Sequence, residues 1–311
     1  MPAFANFENF YTSTVEPRLG RISLLRSRMQ NWQWGIVISL IFTVLNFWGC
    51  QKNVEDRQMY GWMAAIGFIL LAVSVQQFAL NRDRYINDFK ETIIRDILSF
   101  LLPGVTYKPS GYIASKSYRR SNLYRQRYDS FDGNDYIEGT YKNVHFHCSE
   151  LHTTYHKVNN VEGTIFKGLF FSAAVNSFFK AGTYIWSKGC EQAGSQEEYH
   201  HYLPMPAVSR LRTGSEIFDK YFSAFSTNPH ESAYILTAEM MDLLVRFRRQ
   251  IKKNISLSVV TGRCYVAIPL DDDLFEPSLN NPGDKEIVKG YFFSALLILS
   301  IINQLQLSRL T

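Results

Sequence analysis

Two uncharged apolar segments constrain the fold of this chain more than any other feature of its sequence. They are Trp32–Gly49 and Tyr60–Leu80, and neither contains Asp, Glu, Lys or Arg. A membrane-spanning helix needs about 20 mostly apolar residues, with a lower limit of about 17. Trp and Tyr at segment ends are typical of bilayer interfaces. The pair predicts a transmembrane hairpin, and a buried hairpin in a soluble protein is less favoured because core helices rarely lack charge for so long.

The basic residues around this hairpin predict its orientation. Four precede the first segment and four follow the second: Arg18, Arg21, Arg26, Arg28, Arg82, Arg84, Lys90 and Arg95. The connecting loop holds Lys52 and Arg57, which are offset by Glu55 and Asp56. Because loops rich in Lys and Arg stay in the cytoplasm, we expect both termini on the cytoplasmic side.

Helical spacing continues on both sides of the hairpin. Between residues 83 and 102, apolar side chains recur every three or four positions, which predicts a stalk helix that stops at Pro103-Gly104. The N-terminal apolar stripe is expected to pack on this stalk, or to lie on the bilayer as an amphipathic anchor. Pro17 is expected to break that stripe or to start a second helix.

The remainder of the chain predicts an α+β domain with a largely antiparallel sheet. Alternating runs predict four strands at 135–141, 144–155, 164–173 and 183–186, and the run at 219–225 is a further candidate. Thr237 is a plausible N-cap for a helix over 238–252. Thr261-Gly262 predicts the turn of a β-hairpin between 255–260 and 263–268. The apolar run Gly290–Leu307 is favoured as a core helix over a third membrane span.

These patterns divide the chain into five parts. The parts are an N-terminal cytosolic helical segment (1–31), the transmembrane hairpin (32–80), the stalk helix (81–103), a basic Tyr/Arg-rich linker (104–133) and a cytosolic α+β domain (134–311). Hydrophobic residues make up 46% of the chain, which is enough to build a core and excludes wholesale disorder. The net charge of +5 is too modest to indicate a nucleic acid partner by itself. The four cysteines form no CxxC pair, which favours reduced thiols.

Four sequence blocks resemble a known bacterial family. The blocks are EGTIFKGLFFSAAVNSFFKAGT from Glu162, RYDSFDGNDYIEGTYKNVHFHCSELH from Arg127, YFSAFSTNPHESAYILTAEMMDLL from Tyr221, and SLSVVTGRCYVAIPLDDDLFEPSL from Ser256. They are similar to the domain of unknown function 3137, and the resemblance extends over nearly the whole chain. It implies a bacterial cytoplasmic-membrane protein that starts with two spans, but no reaction and no cofactor. It also implies a weak link to a LemA-like membrane-protein partner.

The stretch VHFHCSELHTTYH, Val144–His156, is the candidate for metal chemistry. Its possible ligands are His145, His147, Cys148, Glu150 and His152. On a strand, the first two share one face, whereas the other three share the opposite face. Zinc needs three or four converging ligands, so the sequence favours no metal site. Within this stretch, the family pattern covers Ser149–His152, which makes Glu150 and His152 candidates for a partner surface.

The run KSYRRSNLYRQRY is the candidate for binding lipid headgroups or phosphate. Its basic residues are interleaved with three tyrosines, and they are Lys116, Arg119, Arg120, Arg125 and Arg127. A run of this kind suits anionic lipid or stacked nucleobases, and lipid is favoured because a membrane segment precedes it. A solvated linker explains the run about as well. The acidic turn DDDLFEP lacks the spacing of a calcium loop, so we expect it to be solvated.

Three hypotheses about function follow. The first is a membrane-anchored, cytosol-facing binding or scaffold protein that engages a protein partner or anionic lipid at the inner leaflet. The second is a membrane-bound hydrolase or metal-dependent enzyme that uses the His145–His156 region. The third is a subunit of an oligomeric membrane assembly, including a homo-oligomer. The first is preferred because the sequence contains no Walker loop, GxSxG elbow or GxGxxG turn.

Overall fold

The chain forms two compact units in the computed structural model. The structure describes residues 7–52, 55–156, 162–175, 178–190, 207–279, 284–305 and 307. The helical unit is built from Met1–Asp96 and Glu276–Gly290, and the sheet unit from Ile97–Phe275 and Tyr291–Thr311. The α+β class is confirmed: a long helical region precedes an antiparallel nine-stranded sheet.

Two long helices dominate the helical unit. Helix α1 is Leu19–Lys52 and helix α2 is Arg57–Phe89, and α3, Arg95–Leu101, continues α2 through a π-helical segment. Uninterrupted helical runs extend over Phe7–Lys52 and Arg57–Leu101. At a rise of about 1.5 Å per residue, each run is longer than the roughly 30 Å of apolar membrane core. The stalk residues therefore continue the second predicted span without a break.

Pro17 does not interrupt the first of these runs. It lies in the short 3₁₀ segment Glu16–Arg18, which follows a π-helical turn, Tyr11–Val15, and leads directly into α1. The expectation that Pro17 breaks the stripe or starts a second helix is therefore wrong. The adjoining π-helical and 3₁₀ turns accommodate the missing N–H group and the bulk of Pro17, so the chain stays helical from Phe7 to Lys52.

Small and polar side chains form the seam between α1 and α2. Ser39, Thr43 and Asn46 are buried there, and each bonds to a carbonyl of its own helix. A Cβ atom added to Gly67 would lie 2.4 Å from Thr43 Oγ1, so the helices approach closely at this position. Large apolar residues point outward instead, and Trp62 is 68% exposed. This pattern is typical of helices packed in a bilayer, where small residues fill the interface and lipid covers the apolar surface.

Among the described residues, nine antiparallel strands form the sheet of the sheet unit, in the order β1-β2-β3-β4-β9-β8-β5-β7-β6. The strands are β1 Thr106–Lys108, β2 Ser130–Tyr141, β3 Val144–His156, β4 Glu162–Ala174, β5 Thr183–Ser187, β6 Ser209–Arg210, β7 Phe222–Ser226, β8 Ser256–Val260 and β9 Arg263–Pro269. The four strands expected before residue 190 and the hairpin at Thr261-Gly262 are present in the sheet.

The described residues form five more α-helices beside the sheet strands or after them. They are α4 Ser115–Ser121, α5 Glu216–Tyr221, α6 Pro229–Ile235, α7 Ala238–Ile251 and α8 Lys285–Gln304. Thr237 caps α7 as expected, because its hydroxyl accepts the Met240 N–H at 3.2 Å. The candidate strand over 219–225 is wrong in its first half. Ser215 accepts the Phe218 N–H and caps α5, so only the residues from Phe222 onward pair in the sheet.

The segment expected as a basic linker, 104–133, contains β1, α4 and the first residues of β2. One core cluster of the sheet unit includes Tyr118 and Leu123 from this segment, together with Phe170, Trp186 and Tyr265 from the strands. The Tyr118 hydroxyl lies 3.1 Å from Thr153 Oγ1. The segment therefore packs as part of the sheet unit, and burial of aromatic side chains holds it there.

Helix α8 differs from the hairpin helices in its burial. Within the described ranges, it is the third helix that is long and apolar enough to cross a membrane. However, 44% of its apolar window is buried, against 17% for each hairpin helix. Ala295, Ile298 and Ile301 are fully buried. Near its end, the Asn303 side chain accepts a hydrogen bond from Lys142 Nζ at 2.7 Å. These contacts favour a helix packed within the protein.

Candidate functional site

Glu150 lies at the centre of a polar site on β3. Its side chain follows the buried face that begins with Val144, Phe146 and Cys148, and the residue is only 4% exposed. Its Oε2 atom accepts the backbone N–H of Leu274 at 3.0 Å. Its carboxyl also shares a side-chain hydrogen bond with Asp273. Through these two hydrogen bonds, Glu150 on β3 holds the acidic turn that follows β9, DDDLFEP, against the sheet.

Lys167 completes this arrangement from β4. Its Nζ lies 2.8 Å from Asp273 Oδ1. In the β3–β4 register, Lys167 is opposite His152, so the two residues are neighbours across the strands. The side chains of Glu150, Asp273 and Lys167 thus form one chain of contacts, and each comes from a different block of the family resemblance.

Gly168 allows the acidic turn to reach this position. Its φ of +145° is unfavourable for residues with a side chain, and an added Cβ would lie 2.3 Å from the Ile268 carbonyl oxygen. The pairing of β4 with β9 ends at Gly168 and Pro269, and the Leu270 N–H then bonds to the Lys167 carbonyl at 3.1 Å. Because the two backbones approach closely here, Asp273 and Leu274 lie within hydrogen-bonding distance of Glu150.

The buried position of Glu150 changes its protonation. The pKa of Glu150 is raised from 4.5 to about 7, chiefly by burial and in part by the neighbouring Asp273, while the Leu274 N–H opposes the rise. Glu150 therefore retains its proton at mildly acidic pH, and the protonated carboxyl donates to Asp273. The pKa of Lys167 is also raised, chiefly by its hydrogen bond to Asp273, so its ammonium group stays charged beside that carboxylate.

A cleft of about 210 Å³ opens beside these residues. We call it the Glu150 cleft; it is lined by Asp132, Gly133, Asn134, Glu150, Leu151, His152, Lys167 and Asp273. The Asn134 Oδ1 atom is buried there and accepts no hydrogen bond. His152 is exposed. The two candidates for a partner surface, Glu150 and His152, thus line one cleft, where Glu150 can exchange a proton and His152 can contact a ligand.

The remaining metal candidates lie away from this cleft. His145 Nε2 is 3.5 Å from Glu138 Oε1. Burial, with help from Arg263, lowers the pKa of His147 to about 4, and burial raises the pKa of the Cys148 thiol above its ordinary value. Within the described part of the chain, no three His, Cys, Asp or Glu side chains are grouped so that they could hold a metal ion.

Some tyrosines of the basic run 116–128 pack against other side chains of the protein. Tyr118 is buried, and Tyr124 stacks on it with ring centroids 5.9 Å apart. The Arg119 guanidinium lies 6.0 Å from the Tyr128 ring. Four of the five candidate basic residues are exposed, namely Lys116, Arg119, Arg120 and Arg127, whereas Arg125 is half-buried. The exposed basic residues of the run can contact an anion, but the buried Tyr118 ring cannot stack on a nucleobase.

Asp273 and Lys167, which contact each other in the Glu150 cleft, are not among the site residues predicted from the sequence. Asp273 was read as part of a solvated turn, and Lys167 was read only as a residue of β4. Both residues lie within the sequence blocks that resemble the family, and this was the only feature of the sequence that could have marked them as site residues. Their convergence depends on the β3–β4 register and on the end of β9.

Comparison with known proteins supports the family. Residues 164–307 match the family model described as Protein of unknown function (DUF3137). The resemblance read from the sequence is confirmed over that range. The matched range includes Lys167 and Asp273 of the Glu150 cleft, whereas Glu150 itself precedes it.

Two further comparisons add no functional information. No curated protein matches the chain. A crystal structure of the mycobacterial trehalose monomycolate transport factor A, TtfA, aligns with 68% of this chain and 93% of that chain, at 8% sequence identity and a TM-score of 0.34. A similarity this weak supports no statement about the fold or the function of this chain.

Proposed function

We propose that this chain is a membrane-anchored binding or scaffold protein of the bacterial inner membrane, with its sheet unit in the cytosol. The observation that carries the proposal is the seam between α1 and α2. Small and polar residues fill it, while large apolar residues such as Trp34 and Trp62 point outward. In water this pattern would leave a large apolar surface exposed, whereas a bilayer covers it.

The native cysteines provide a test of this placement. Cys50 lies near the end of α1 and Cys190 lies after β5, and both are partly exposed, whereas Cys148 and Cys264 are buried. In spheroplasts, a membrane-impermeant maleimide should label Cys50, and it should label Cys190 only after permeabilisation. Cys50→Ser and Cys190→Ser identify each signal. Labelling of Cys190 in intact spheroplasts, or release of the chain by alkaline carbonate, would overturn the proposal.

Within the sheet unit, we propose the Glu150 cleft as the surface that binds a partner. Its rim offers an exposed His152, the ammonium group of Lys167 and the carboxylate of Asp132, so it suits a polar segment of a protein such as a LemA-like neighbour. A photo-crosslinking residue at position 152 of the full chain should capture one defined protein in the native membrane. The same residue at exposed position 216 is the control, and equal capture at both positions refutes this surface.

A hydrolase remains the second candidate, and the Glu150–Asp273 carboxyl pair is the observation that favours it. A protonated carboxyl beside a charged one can act as general acid and base. Purified full-length chain should then turn over a substrate in a broad hydrolase screen, and Glu150→Gln and Asp273→Asn should each abolish that turnover. Turnover with this dependence would replace the binding proposal; activity that survives both substitutions would point to a contaminating enzyme.

A further inference from the structure

A group of basic side chains surrounds Tyr221, away from the residues that line the Glu150 cleft. The guanidinium carbons of Arg248 and Arg249 lie 5.0 and 5.1 Å from the centre of the Tyr221 ring. Lys188 joins them, because its N–H donates to the Tyr221 carbonyl at 2.9 Å and its Nζ donates to Ser223 Oγ at 3.4 Å. Lys220 precedes the tyrosine. We call Lys188, Lys220, Tyr221, Arg248 and Arg249 the Tyr221 cluster.

The cations of the Tyr221 cluster have no carboxylate partner among the residues that the structure describes. Other basic residues of the same region do have one: Arg246 pairs with Asp242 at 2.8 Å, and Lys253 pairs with Asp271. The pKa of the Tyr221 hydroxyl is lowered, first by a hydrogen bond from Arg249 and then by the charges of Arg249, Lys220 and Arg248. This lowering is the effect that nearby positive charge has on a tyrosine hydroxyl.

The position of α7 explains only part of this charge. Arg248 and Arg249 lie in the last turn of the helix, where cations complement the helix dipole. Lys188 follows β5, and Lys220 lies in the last turn of the short helix α5, so the dipole of α7 accounts for neither of them. Three separate elements therefore place basic residues beside Tyr221 and Ser223, which gives this surface an excess of positive charge.

The arginines are also held in place before any anion arrives. Arg248 donates from Nε to Ser187 Oγ at 3.4 Å and from a terminal nitrogen to Asn254 Oδ1 at 3.0 Å. Both guanidinium groups rest against the same tyrosine ring. A fixed guanidinium loses little conformational entropy when it binds, and its planar fork matches the oxygens of a phosphate.

We propose that the Tyr221 cluster binds a phosphate group, carried either by a soluble phosphomonoester or by the headgroup of an anionic phospholipid. The two arginines supply fixed donors, the two lysines supply mobile charge, and the cluster matches the double negative charge of a phosphomonoester better than a single carboxylate. This site is separate from the basic run 116–128 and from the Glu150 cleft, so it stands whether or not the proposed function is correct.

The test uses the full-length chain in nanodiscs of zwitterionic lipid. Inorganic phosphate and glycerol phosphate are titrated at constant ionic strength against chloride, and the melting temperature of the sheet unit is followed. Both phosphates should stabilise the protein more than chloride does. Arg249→Gln should weaken the apparent affinity by about tenfold, as expected for the loss of one charge-assisted contact, without lowering the melting temperature of the free protein.

Arg246→Gln is the matched control, since it removes the same charge from the same helix where Asp242 already neutralises it. It should leave the phosphate response unchanged. Phosphate that stabilises no better than chloride, or an equal loss in the two variants, overturns the site. Nanodiscs with anionic phospholipid then separate the two sources of phosphate. A headgroup ligand would occupy the cluster and abolish the response to soluble phosphate, whereas a soluble ligand would still produce it.

Discussion

Replacement of Glu150 by Gln tests the electrostatics of the Glu150 cleft most directly. Glutamine keeps an oxygen for the Leu274 N–H and an N–H donor for Asp273, so it mimics the protonated carboxyl without being able to ionise. Glu150 is 4% exposed, and its pKa rises from 4.5 to about 7 in the folded protein. At about 1.36 kcal/mol per pKa unit, this rise corresponds to a ceiling of about 3 kcal/mol.

The sign follows from the direction of that pKa shift. A carboxyl whose pKa is raised by folding contributes stability that is fully present below its unfolded pKa of 4.5. That contribution is lost as the pH rises through about 7, because the buried group must then ionise. Wild type and Glu150→Gln should therefore be equally stable near pH 4.5, and the variant should be the more stable by about 1–3 kcal/mol at pH 8.

The assay is thermal unfolding of the full-length chain in a neutral detergent, followed by the fluorescence of its tryptophans, of which the buried Trp186 reports on the sheet unit. About 1–3 kcal/mol corresponds to a melting temperature higher by roughly 2–10 °C. Glu162→Gln, at an exposed position of β4, is the control and should change the stability at pH 8 by no more than about 0.5 kcal/mol. A stability difference that stays constant from pH 4.5 to pH 8, or a variant less stable at pH 8, would refute the reasoning.

Three more predictions follow from the described contacts. Gly168→Ala should destabilise the sheet unit by about 3 kcal/mol or more, because its Cβ would meet the Ile268 carbonyl. Gly290→Ala, whose Cβ meets nothing within 4 Å inside helix α8, should not destabilise and should raise stability by up to about 1 kcal/mol in thermal unfolding. Gly67→Val should separate α1 from α2 and lower the melting temperature in detergent, whereas Gly61→Ala, with open space around it, should not. Since the pKa of His147 is about 4, its ring resonances in an NMR titration should not shift between pH 5 and pH 8. A titration near pH 6.5 would show that the ring is not buried beside Arg263.

Periodic features of the sequence predicted most of the elements. Alternating residues identified the long strands, and the Thr261-Gly262 turn identified the β8–β9 hairpin, because each depends on residues close together in the chain. Where a local cap competed with alternation, the sequence reading was wrong: Ser215 starts α5 where a strand was expected. The role of Pro17 was also misjudged, because the adjoining π and 3₁₀ turns are not visible as a pattern in the sequence.

The sites depended on contacts between residues far apart in the chain. Strand alternation correctly separated His145 from Glu150, yet it did not reveal that Asp273 lies beside Glu150. The pairing of β4 with β9, and the close backbone approach at Gly168, create that contact. The Tyr221 cluster likewise combines α5, α7 and the end of β5, which no sequence spacing connects.

By itself, the sequence determined that two apolar helices precede an α+β unit, since hydrophobic length and periodicity are local properties of a chain. Only the tertiary structure decided which polar groups meet. Burial of Glu150 under Leu274 and Asp273 raises its pKa, and the convergence of three elements at Tyr221 concentrates positive charge. Both effects arise from proximity and desolvation, which depend on the packing of distant segments against one another.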